Sequence, residues 1–178
     1  MEPTTPLARC DECPLQDRPI VPGDGPAKSG RVIVGEAPGE KEVLERKPFV
    51  GKAGRRLIES LSAARIDRRM IYFTNALLCY PPGKPPRPPA AAVTACRERL
   101  IAEIRQRAPR KVLALGRTAA KALTGKTVLI TEARLHDLPF HYIDNHTRVR
   151  VTYHPSSLLR NPEWPGRFDG DVGWLGEP

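Results

Sequence analysis

Short apolar segments alternate with amphipathic segments along most of the chain from Arg31 onward. The apolar runs RVIVG, MIYFTNALLCY and KVLALG are each short enough to be buried strands. Between and after them, the segments GRRLIESLSAAR, 90–107 and RTAAKALTG repeat their apolar positions at helical spacing. We expect Gly125 to end the last of these helices, because glycine tolerates the backbone conformation found at helix ends.

The remaining segments are predicted to be strands and loops. FHYID and RVRVTY are strand candidates near the carboxyl end. PPGKPPRPP is predicted to be a loop, because proline lacks the amide donor that helices and central strands use. Residues 1–30 contain turn formers and little periodicity, and residues 163–178, rich in glycine and proline, are expected to be irregular with no closing helix. We interpret residues 1–178 as a single domain.

Strands that alternate with helices predict an α/β fold with a mainly parallel sheet and helices on both of its faces. In such folds, binding sites gather at the carboxyl ends of the strands. Three clusters of interest fall at predicted strand ends, namely residues 35–39, the pair Thr74 and Asn75, and the segment HPSSLLR. The sequence therefore predicts a functional site at this edge of the sheet.

The charge balance narrows the choice of partner. The chain carries 29 Lys+Arg against 20 Asp+Glu, a net charge of +9, which favours a polyanion, and nucleic acid before an anionic membrane. A protein that is basic without such a partner is the alternative. No apolar run approaches the roughly 20 residues that span a bilayer, and the N-terminus lacks the order of a secretory signal. We therefore expect a cytoplasmic protein with reduced cysteines.

Four cysteines form the first candidate site: Cys10, Cys13, Cys79 and Cys96. The first two form a close Cys-x-x-Cys pair, and the other two flank the proline-rich loop. Four thiolates suit either Zn²⁺ or an iron–sulfur cluster, although the spacing differs from that of paired zinc ribbons. Packing alone explains Cys79 and Cys96 but not a Cys-x-x-Cys in a polar loop, so we favour metal binding.

Two further clusters carry candidate chemistry. In GEAPG, Glu36 follows a predicted strand between glycines that allow close approach to a ligand. It suits a base, a water-orienting group, a metal ligand, a helix-cap acceptor or only a turn residue. In HPSSLLRNP, a histidine precedes two hydroxyls that are able to donate to phosphate, and then two leucines. Leu158 or Leu159 would insert into a base stack, unless these leucines begin a core helix.

Taken together, the motifs indicate a family far more specifically than any one of them does alone. GEAPGEKEVLERKPFVGKAG, TNALLC, VLALGRTAAKALTG and HPSSLLRNP, in this order and with the four cysteines so placed, resemble family-4 uracil-DNA glycosylases, the iron–sulfur branch of their superfamily. The resemblance covers residues 10 to about 162. It implies a three-layer α/β/α fold with a central four-stranded sheet, a [4Fe–4S] cluster held by the cysteines, and hydrolysis of the N-glycosidic bond of deoxyuridine in DNA.

The resemblance also assigns the residues that bind the base. Such an enzyme must extrude its target nucleotide from the helix. Phe49 would then stack on the extruded uracil, and Asn75 would read its Watson–Crick edge, because one amide both donates and accepts. The backbone amide of Ala37 would help to hold the base. Glu42 would occupy the space that the 5-methyl group of thymine needs.

The catalytic and DNA-binding assignments follow in the same way. Glu36 would orient or activate the attacking water, and His154 would donate toward uracil O2 as charge develops on the leaving base. The cluster would be structural. The DNA-binding set implied by the resemblance is Ser156, Ser157, Leu158, Leu159 and Arg160. Further phosphate contacts are expected from Lys52, Arg55, Lys84 and Arg87. We expect a monomer that acts on single- or double-stranded DNA.

Two departures from the family pattern leave other functions open. Val43 stands where family members commonly carry a second acid, and LERK replaces a glycine-containing segment before Phe49. A uracil or damaged-DNA binding protein with weak turnover is therefore the first alternative, and a zinc-stabilised nucleic-acid binding protein is the second. Covalent crosslinking to DNA through a histidine is rejected, because the loop CYPPGKPPRPP contains none.

Overall fold

A four-stranded parallel sheet forms the centre of the molecule. The computed structural model describes residues 7–83, 87–140 and 146–178, with the backbone alone described at Leu159 and Arg160. Within these residues the strands lie in the order β2-β1-β3-β4, and each neighbouring pair is parallel. The strands are β1 (Arg31–Gly35), β2 (Tyr72–Asn75), β3 (Lys111–Leu115) and β4 (Arg148–Thr152). The predicted α/β fold is confirmed.

Helices flank this sheet and bury its apolar residues. They are α1 (Glu40–Glu45), α2 (Lys52–Ala63), α3 (Ala90–Arg107), α4 (Arg117–Thr124), α5 (Ile130–Ala133) and α6 (Trp164–Gly173). Helix α2 packs against α6, and α3 packs against α4. Every residue of β2 and β3 is buried, as expected for parallel strands covered on both faces. Helix α4 ends at Gly125 with φ 74°, as its sequence predicted.

The register of the strands brings their carboxyl ends to one edge of the sheet. Gly35 at the end of β1 is the register partner of Asn75 at the end of β2. On the other side, Leu115 of β3 is the partner of Thr152 of β4. The segments that follow all four strands therefore begin at the same edge, which is where the sequence predicted the site.

Two strand predictions need comment. β2 is shorter than the run MIYFTNALLCY suggested, because the chain beyond it pairs with the N-terminal segment, where the Val21 amide donates to the Leu78 carbonyl at 2.8 Å. RVRVTY does contain a strand, β4. The candidate FHYID lies almost entirely outside the described residues. None of the helices in the described part of the chain has the length and apolar content needed to cross a membrane.

The prediction of an irregular tail over residues 163–178 is wrong. Helix α6 occupies this segment, with a proline in its first turn, where the missing amide costs nothing. Its Phe168 and Val172 are fully buried against the core, and the Arg56 guanidinium of α2 donates to Asp169 at 2.7 Å. Burial of one face therefore outweighs the low helix propensity of the glycines. The composition of the segment reports that propensity but not the burial.

The chain after α6 is held by cations at the amino ends of the strands. The Lys111 ammonium donates to the carbonyls of Trp174 at 2.7 Å and Glu177 at 2.8 Å. The Arg31 guanidinium donates to the Leu175 carbonyl at 2.6 Å. Trp174 and Leu175 are buried, so this end of the chain closes the core at the edge opposite the predicted site.

A substitution in α6 tests whether a glycine there affects stability only through its low helix propensity. Gly170 is exposed, and a Cβ built there would meet no atom within 4 Å. We expect Gly170→Ala to raise the free energy of unfolding by about 0.5–1 kcal/mol, because alanine loses less backbone entropy in a helix. Urea denaturation monitored by circular dichroism measures this.

Gly125→Ala is the matched control for that experiment. Gly125 has φ 74°, a conformation that alanine adopts only with strain, so this variant should be destabilised. A loss of stability in Gly170→Ala would contradict a helical α6.

Candidate active site

Each of the four strands supplies a polar side chain to the carboxyl edge of the sheet. Glu36 follows β1, Asn75 ends β2, Thr118 lies in the first turn of α4 after β3, and His154 follows β4. Because β1 lies between β2 and β3, Glu36 emerges near the middle of this edge. Glu36, Asn75 and His154 were predicted from the sequence, whereas Thr118 was not.

Gly35 is the point at which the predicted base-binding residues converge. A Cβ built on Gly35 would lie 2.2 Å from Asn75 Oδ1 and 2.8 Å from the Phe49 ring. Both side chains therefore approach the backbone of β1 more closely than any side chain at position 35 would permit. Phe49 and Asn75 are both buried, and Phe49 also packs on Phe73 with ring centroids 5.6 Å apart. The aromatic ring is thus part of the core as well as next to the amide.

Phe49 adopts a strained backbone conformation that neighbouring groups hold in place. Its φ is 59°, in the left-handed region that non-glycine residues rarely occupy. The Arg68 guanidinium donates to the carbonyls of Pro48 at 3.0 Å and Phe49 at 3.3 Å. Gly54, in the first turn of α2, packs directly on the Phe49 backbone, where a Cβ would lie 2.2 Å from its carbonyl. Arg68 has no signal in the sequence beyond its charge.

Glu42 joins the two loops that carry Glu36 and Phe49. Its carboxylate accepts backbone N–H bonds from Gly39 at 3.1 Å, Val50 at 3.0 Å and Gly51 at 2.7 Å. The side chain is buried, so these charge-assisted bonds compensate for removing the charge from water. The structure thus gives Glu42 a loop-joining contact that the sequence did not indicate. Its expected role in excluding thymine stays a prediction.

His154 is held as one tautomer by the residue two positions later. The Ser156 backbone amide points to Nδ1 at 3.3 Å, and the Ser156 hydroxyl lies 2.7 Å from the same nitrogen. An N–H donor opposite Nδ1 requires that nitrogen to be the acceptor, which assigns the proton of the neutral ring to Nε2. Burial lowers the pKa of His154 below its usual 6.5, while the nearby carboxylates of Glu36 and Glu42 oppose that shift.

The turn after His154 differs from the DNA-binding prediction in its details. It forms a 3-10 helix, Pro155–Arg160, in which Leu158 is 4% exposed and belongs to the hydrophobic core. Leu158 therefore packs in the core here, which is the alternative stated for these leucines, and its insertion into a base stack stays a prediction. The Ser157 hydroxyl donates to the His154 carbonyl at 2.6 Å, and the Ser156 hydroxyl already contacts His154 Nδ1. Phosphate contacts from the two serines stay predictions, and each hydroxyl would have to exchange its present hydrogen-bond partner for a phosphate oxygen.

The remaining predicted DNA contacts are only partly described. The side chains of Leu159 and Arg160, and the whole of Lys84, lie outside what the structure describes. Lys52 and Arg55, in the first turn of α2 next to Gly51, are exposed, and so is Arg87. These three cations are therefore accessible to a phosphate backbone.

A buried arginine that the sequence did not single out holds the end of β2. Arg99 of α3 donates to the carbonyls of Asn75 at 2.9 Å and Ala76 at 2.8 Å. Its charge is balanced by Glu103, 2.6 Å away on the same helix. Arg99 is thus a support of the Asn75 backbone and lies one turn from Cys96.

The four predicted cysteines meet in one cavity of about 600 Å³. Cys10 and Cys13 come from the 3-10 turn at the N-terminal segment, Cys79 follows β2, and Cys96 lies on α3. The N-terminal segment is attached to α3 by the bond from the Arg9 amide to the Ala95 carbonyl, 3.0 Å. Within the described residues, no three metal-type ligands are placed to hold a single ion.

The thiols are close enough to influence one another's ionisation. The pKa of Cys79 is raised to about 12. Burial is the largest cause, and the neighbouring Cys96, Cys13 and Cys10 contribute the rest of the increase. Burial likewise raises the pKa of Cys13. A raised pKa keeps the Cys13 and Cys79 thiols protonated unless a cation binds, and binding of a positively charged group to such thiols releases their protons. Ala37 and Leu77 pack against this cluster and connect it to the loops after β1 and β2.

Comparison with known proteins identifies the family. Residues 22–169 match the family model of the uracil DNA glycosylase superfamily. The chain belongs to this superfamily. It is 37% identical to a type-4 uracil-DNA glycosylase of Pyrobaculum aerophilum, over 93% of this chain and 87% of the relative. It is 39% identical to the type-4 enzyme of Thermotoga maritima, over 87% and 80%, and 31% identical to that of Archaeoglobus fulgidus, over 96% and 88%.

Within the uracil-DNA glycosylase superfamily, the segment LERK is a departure that the backbone explains. Arg46 ends α1 with φ 51°, in the left-handed region. Glycine adopts this conformation without strain, which gives a physical reason for the glycine-containing segment that the family resemblance led us to expect here. Arginine here keeps the turn at the cost of some strain.

A titration of His154 tests whether Glu36 lies close enough to affect its pKa. We expect the imidazole of His154 to titrate below 6.5, because burial disfavours the cation. Glu36→Gln should lower this pKa further, since Glu36 is one of the two carboxylates that stabilise the cation. Imidazole carbon chemical shifts, followed by NMR across pH, measure both values.

The same shift predicts how stability depends on pH. The unfolded chain protonates this histidine near 6.5, above the folded pKa, so its contribution to stability is lost as pH falls below about 6.5. An NMR titration midpoint of His154 at or above 6.5 would contradict the arrangement described. A midpoint that Glu36→Gln leaves unchanged would contradict it too.

Proposed function

We propose that this protein removes uracil from DNA by hydrolysing the N-glycosidic bond of deoxyuridine, leaving an abasic site. Its membership of the uracil-DNA glycosylase superfamily supports this function. The observation that carries the proposal is the convergence of the Phe49 ring and the Asn75 amide over Gly35, next to Glu36. An aromatic ring and an amide at one point form a binding site for a planar base with both donor and acceptor edges.

The base is read by Asn75 after it has left the duplex. The Asn75 amide accepts from uracil N3–H and donates to uracil O4, a pattern that cytosine does not match. Phe49 stacks on the base, and the conformation imposed on Phe49 by Arg68 and Gly54 fixes the ring before binding. The Ala37 amide is a further donor at the same loop. Preorganisation of this kind lowers the entropy lost when the base binds.

His154 stabilises the charge that develops on the leaving uracil. Because Ser156 donates to Nδ1, the neutral ring carries its proton on Nε2, and that N–H donates to uracil O2. A neutral donor suffices for this role, as in other sites that stabilise an oxyanion. The lowered pKa of His154 supports the neutral form at pH 7. Ser156 therefore acts on the base through His154 in addition to any phosphate contact.

Glu36 acts on the sugar side of the bond. Its carboxylate orients or activates the water that attacks C1′, and its negative charge stabilises the oxocarbenium-like sugar. Glu42 keeps the loop of Glu36 and the loop of Phe49 in one arrangement through its three backbone bonds. From that position it also limits space beside the base, which is the exclusion of thymine that we propose.

We propose that Cys10, Cys13, Cys79 and Cys96 hold a [4Fe–4S] cluster. The cavity of about 600 Å³ is larger than one metal ion needs, and four thiolates are the usual donor set for such a cluster. When bound, the cluster would cross-link the N-terminal segment to α3 and to the segment after β2, and hydrolysis would require no electron from it. Lys52, Arg55 and Arg87 contribute sequence-independent phosphate contacts. A monomer acting in the cytoplasm, at the DNA itself, completes the proposal.

A glycosylase assay tests the proposed function. Uracil in single- and double-stranded oligonucleotides should be released, which alkali reveals as strand breaks, whereas thymine should be left intact. Loss of one charge-stabilising donor typically costs about 3–4 kcal/mol, so His154→Ala should reduce the excision rate by about 10²–10³-fold. Glu36→Gln should reduce it by at least a comparable factor. Hypoxanthine and xanthine substrates define the range of bases.

His136→Ala is the matched control, because His136 is exposed and lies outside this site. Uracil-dependent gel shifts without strand breaks would identify a binding protein instead. Full activity in both Glu36→Gln and His154→Ala would contradict the proposed roles.

Metal analysis tests the proposed cluster. Protein purified without oxygen should contain about four iron and four labile sulfide per chain, with absorption near 400 nm. Cys96→Ser should lower the iron content and the thermal stability together, because the cluster joins α3 to the N-terminal segment. Zinc without iron or sulfide would instead support a zinc-stabilised nucleic-acid binding protein.

A further inference from the structure

The carboxylate of Glu36 has one side-chain hydrogen-bond donor among the residues that the structure describes. The Thr118 hydroxyl donates to Glu36 Oε2, across 82 positions of sequence. Arg117 and Lys121, the charged residues of the same helix, make no such bond to it. Thr118 lies in α4, and nothing in the composition of the segment RTAAKALTG indicated a role for it.

The Thr118 hydroxyl is held in a fixed position by the helix that carries it. Ala119 and Ala120, the next residues of α4, are fully buried in the core. The turn before α4 is attached to β4 through the bond from the Gly116 amide to the Thr152 carbonyl, 2.8 Å. α4 is therefore joined to the sheet on both sides of Thr118.

The same turn also supports His154. Gly116 has φ 90°, and a Cβ built there would lie 3.2 Å from His154 Cβ. Glycine at this position lets the start of α4 and the segment after β4 come together. The donor to Glu36 and the imidazole are thereby fixed relative to each other by one backbone junction.

We infer that Thr118 is a positioning residue that sets the orientation of the Glu36 carboxylate. Its hydroxyl engages Oε2, which leaves Oε1 to face the water that attacks C1′. The backbone of Glu36 is already fixed, because its carbonyl accepts from the Leu77 amide at 3.0 Å. A fixed backbone and one bonded oxygen together define the direction of the other oxygen. This inference rests on the proposed role of Glu36 in uracil excision.

The test compares variants of the full, cluster-loaded chain by excision of uracil from a single-stranded oligonucleotide. Thr118→Val keeps the shape of the side chain but removes the donor. We expect it to lower kcat by about 10–100-fold with KM nearly unchanged, because misplacement of a reacting group by about 1 Å costs factors of this size. Thr118→Ser keeps the donor and should stay within about threefold of the wild-type kcat, a rescue that simple packing would not give.

Thr124→Val is the matched control on the same helix. The Thr124 hydroxyl donates to the Ala120 carbonyl at 2.9 Å, away from Glu36, so this variant should keep the wild-type kcat. Iron content and melting temperature are measured for all variants. If Thr118→Val does not fold, Thr118→Ala replaces it with the same expected loss. Failure of both to fold, with Thr118→Ser folded, assigns the bond to stability and overturns the inference.

A double-mutant cycle separates this inference from the proposed function. In a Glu36→Gln background, Thr118→Val should change kcat by less than about twofold, because the group it orients has already been altered. The positioning role would be overturned if the fold-losses in kcat of Thr118→Val and Glu36→Gln multiply in the double variant. A wild-type kcat in Thr118→Val would overturn it too. Full activity in Glu36→Gln alone would instead contradict the proposed function, whatever Thr118 does.

Discussion

The absence of a side chain at Gly35 is the constraint on which the candidate site depends. The Phe49 ring and the Asn75 amide both occupy space that a Cβ at this position would need. Parallel pairing makes Gly35 and Asn75 register partners, so the amide is brought there by the sheet itself. Phe49 arrives from a separate loop and holds a positive φ to do so. The pocket thus combines one residue fixed by strand register with one fixed by a strained turn, and strain of this kind is characteristic of functional sites.

The strained turn is maintained by charge and not by apolar packing alone. Glu42 accepts three backbone amides from the two sides of the pocket, and Arg68 donates to two carbonyls on the outer side of the same loop. Both charges satisfy backbone groups that a tight turn leaves without partners. This arrangement also bears on the departure at Val43. Glu42 makes all three bonds by itself, so the attachment of the two loops needs no acid at position 43.

The sequence predicted the fold and most of the site, because both depend on local patterns. Apolar runs marked the strands, helical spacing marked α2, α3 and α4, and motif order marked Glu36, Asn75 and His154. What it missed depends on long-range contacts. Thr118 and Arg99 act on residues far away in the chain, and a lone threonine or arginine in a helix carries no sign of its partner. The sequence left the place of Leu158 open and missed the final helix, since burial against the core decides both and composition does not report burial.

The position of Arg99 gives a physical reason for a cysteine cluster in a hydrolytic enzyme. Asn75 and Cys79 are four residues apart, and both ends of this short segment lie against α3. At one end Arg99 binds the carbonyls of Asn75 and Ala76, and at the other Cys79 lines one cavity with Cys96 of the same helix. A buried ion pair such as Arg99–Glu103 contributes little net stability, so its value lies in specifying one arrangement of the backbone. A group that joins Cys79 to Cys96 fixes the second end in the same way. With the proposed cluster bound, the Asn75 amide would be held between two anchors on a single helix. The cluster would then serve the proposed base recognition without taking part in the chemistry.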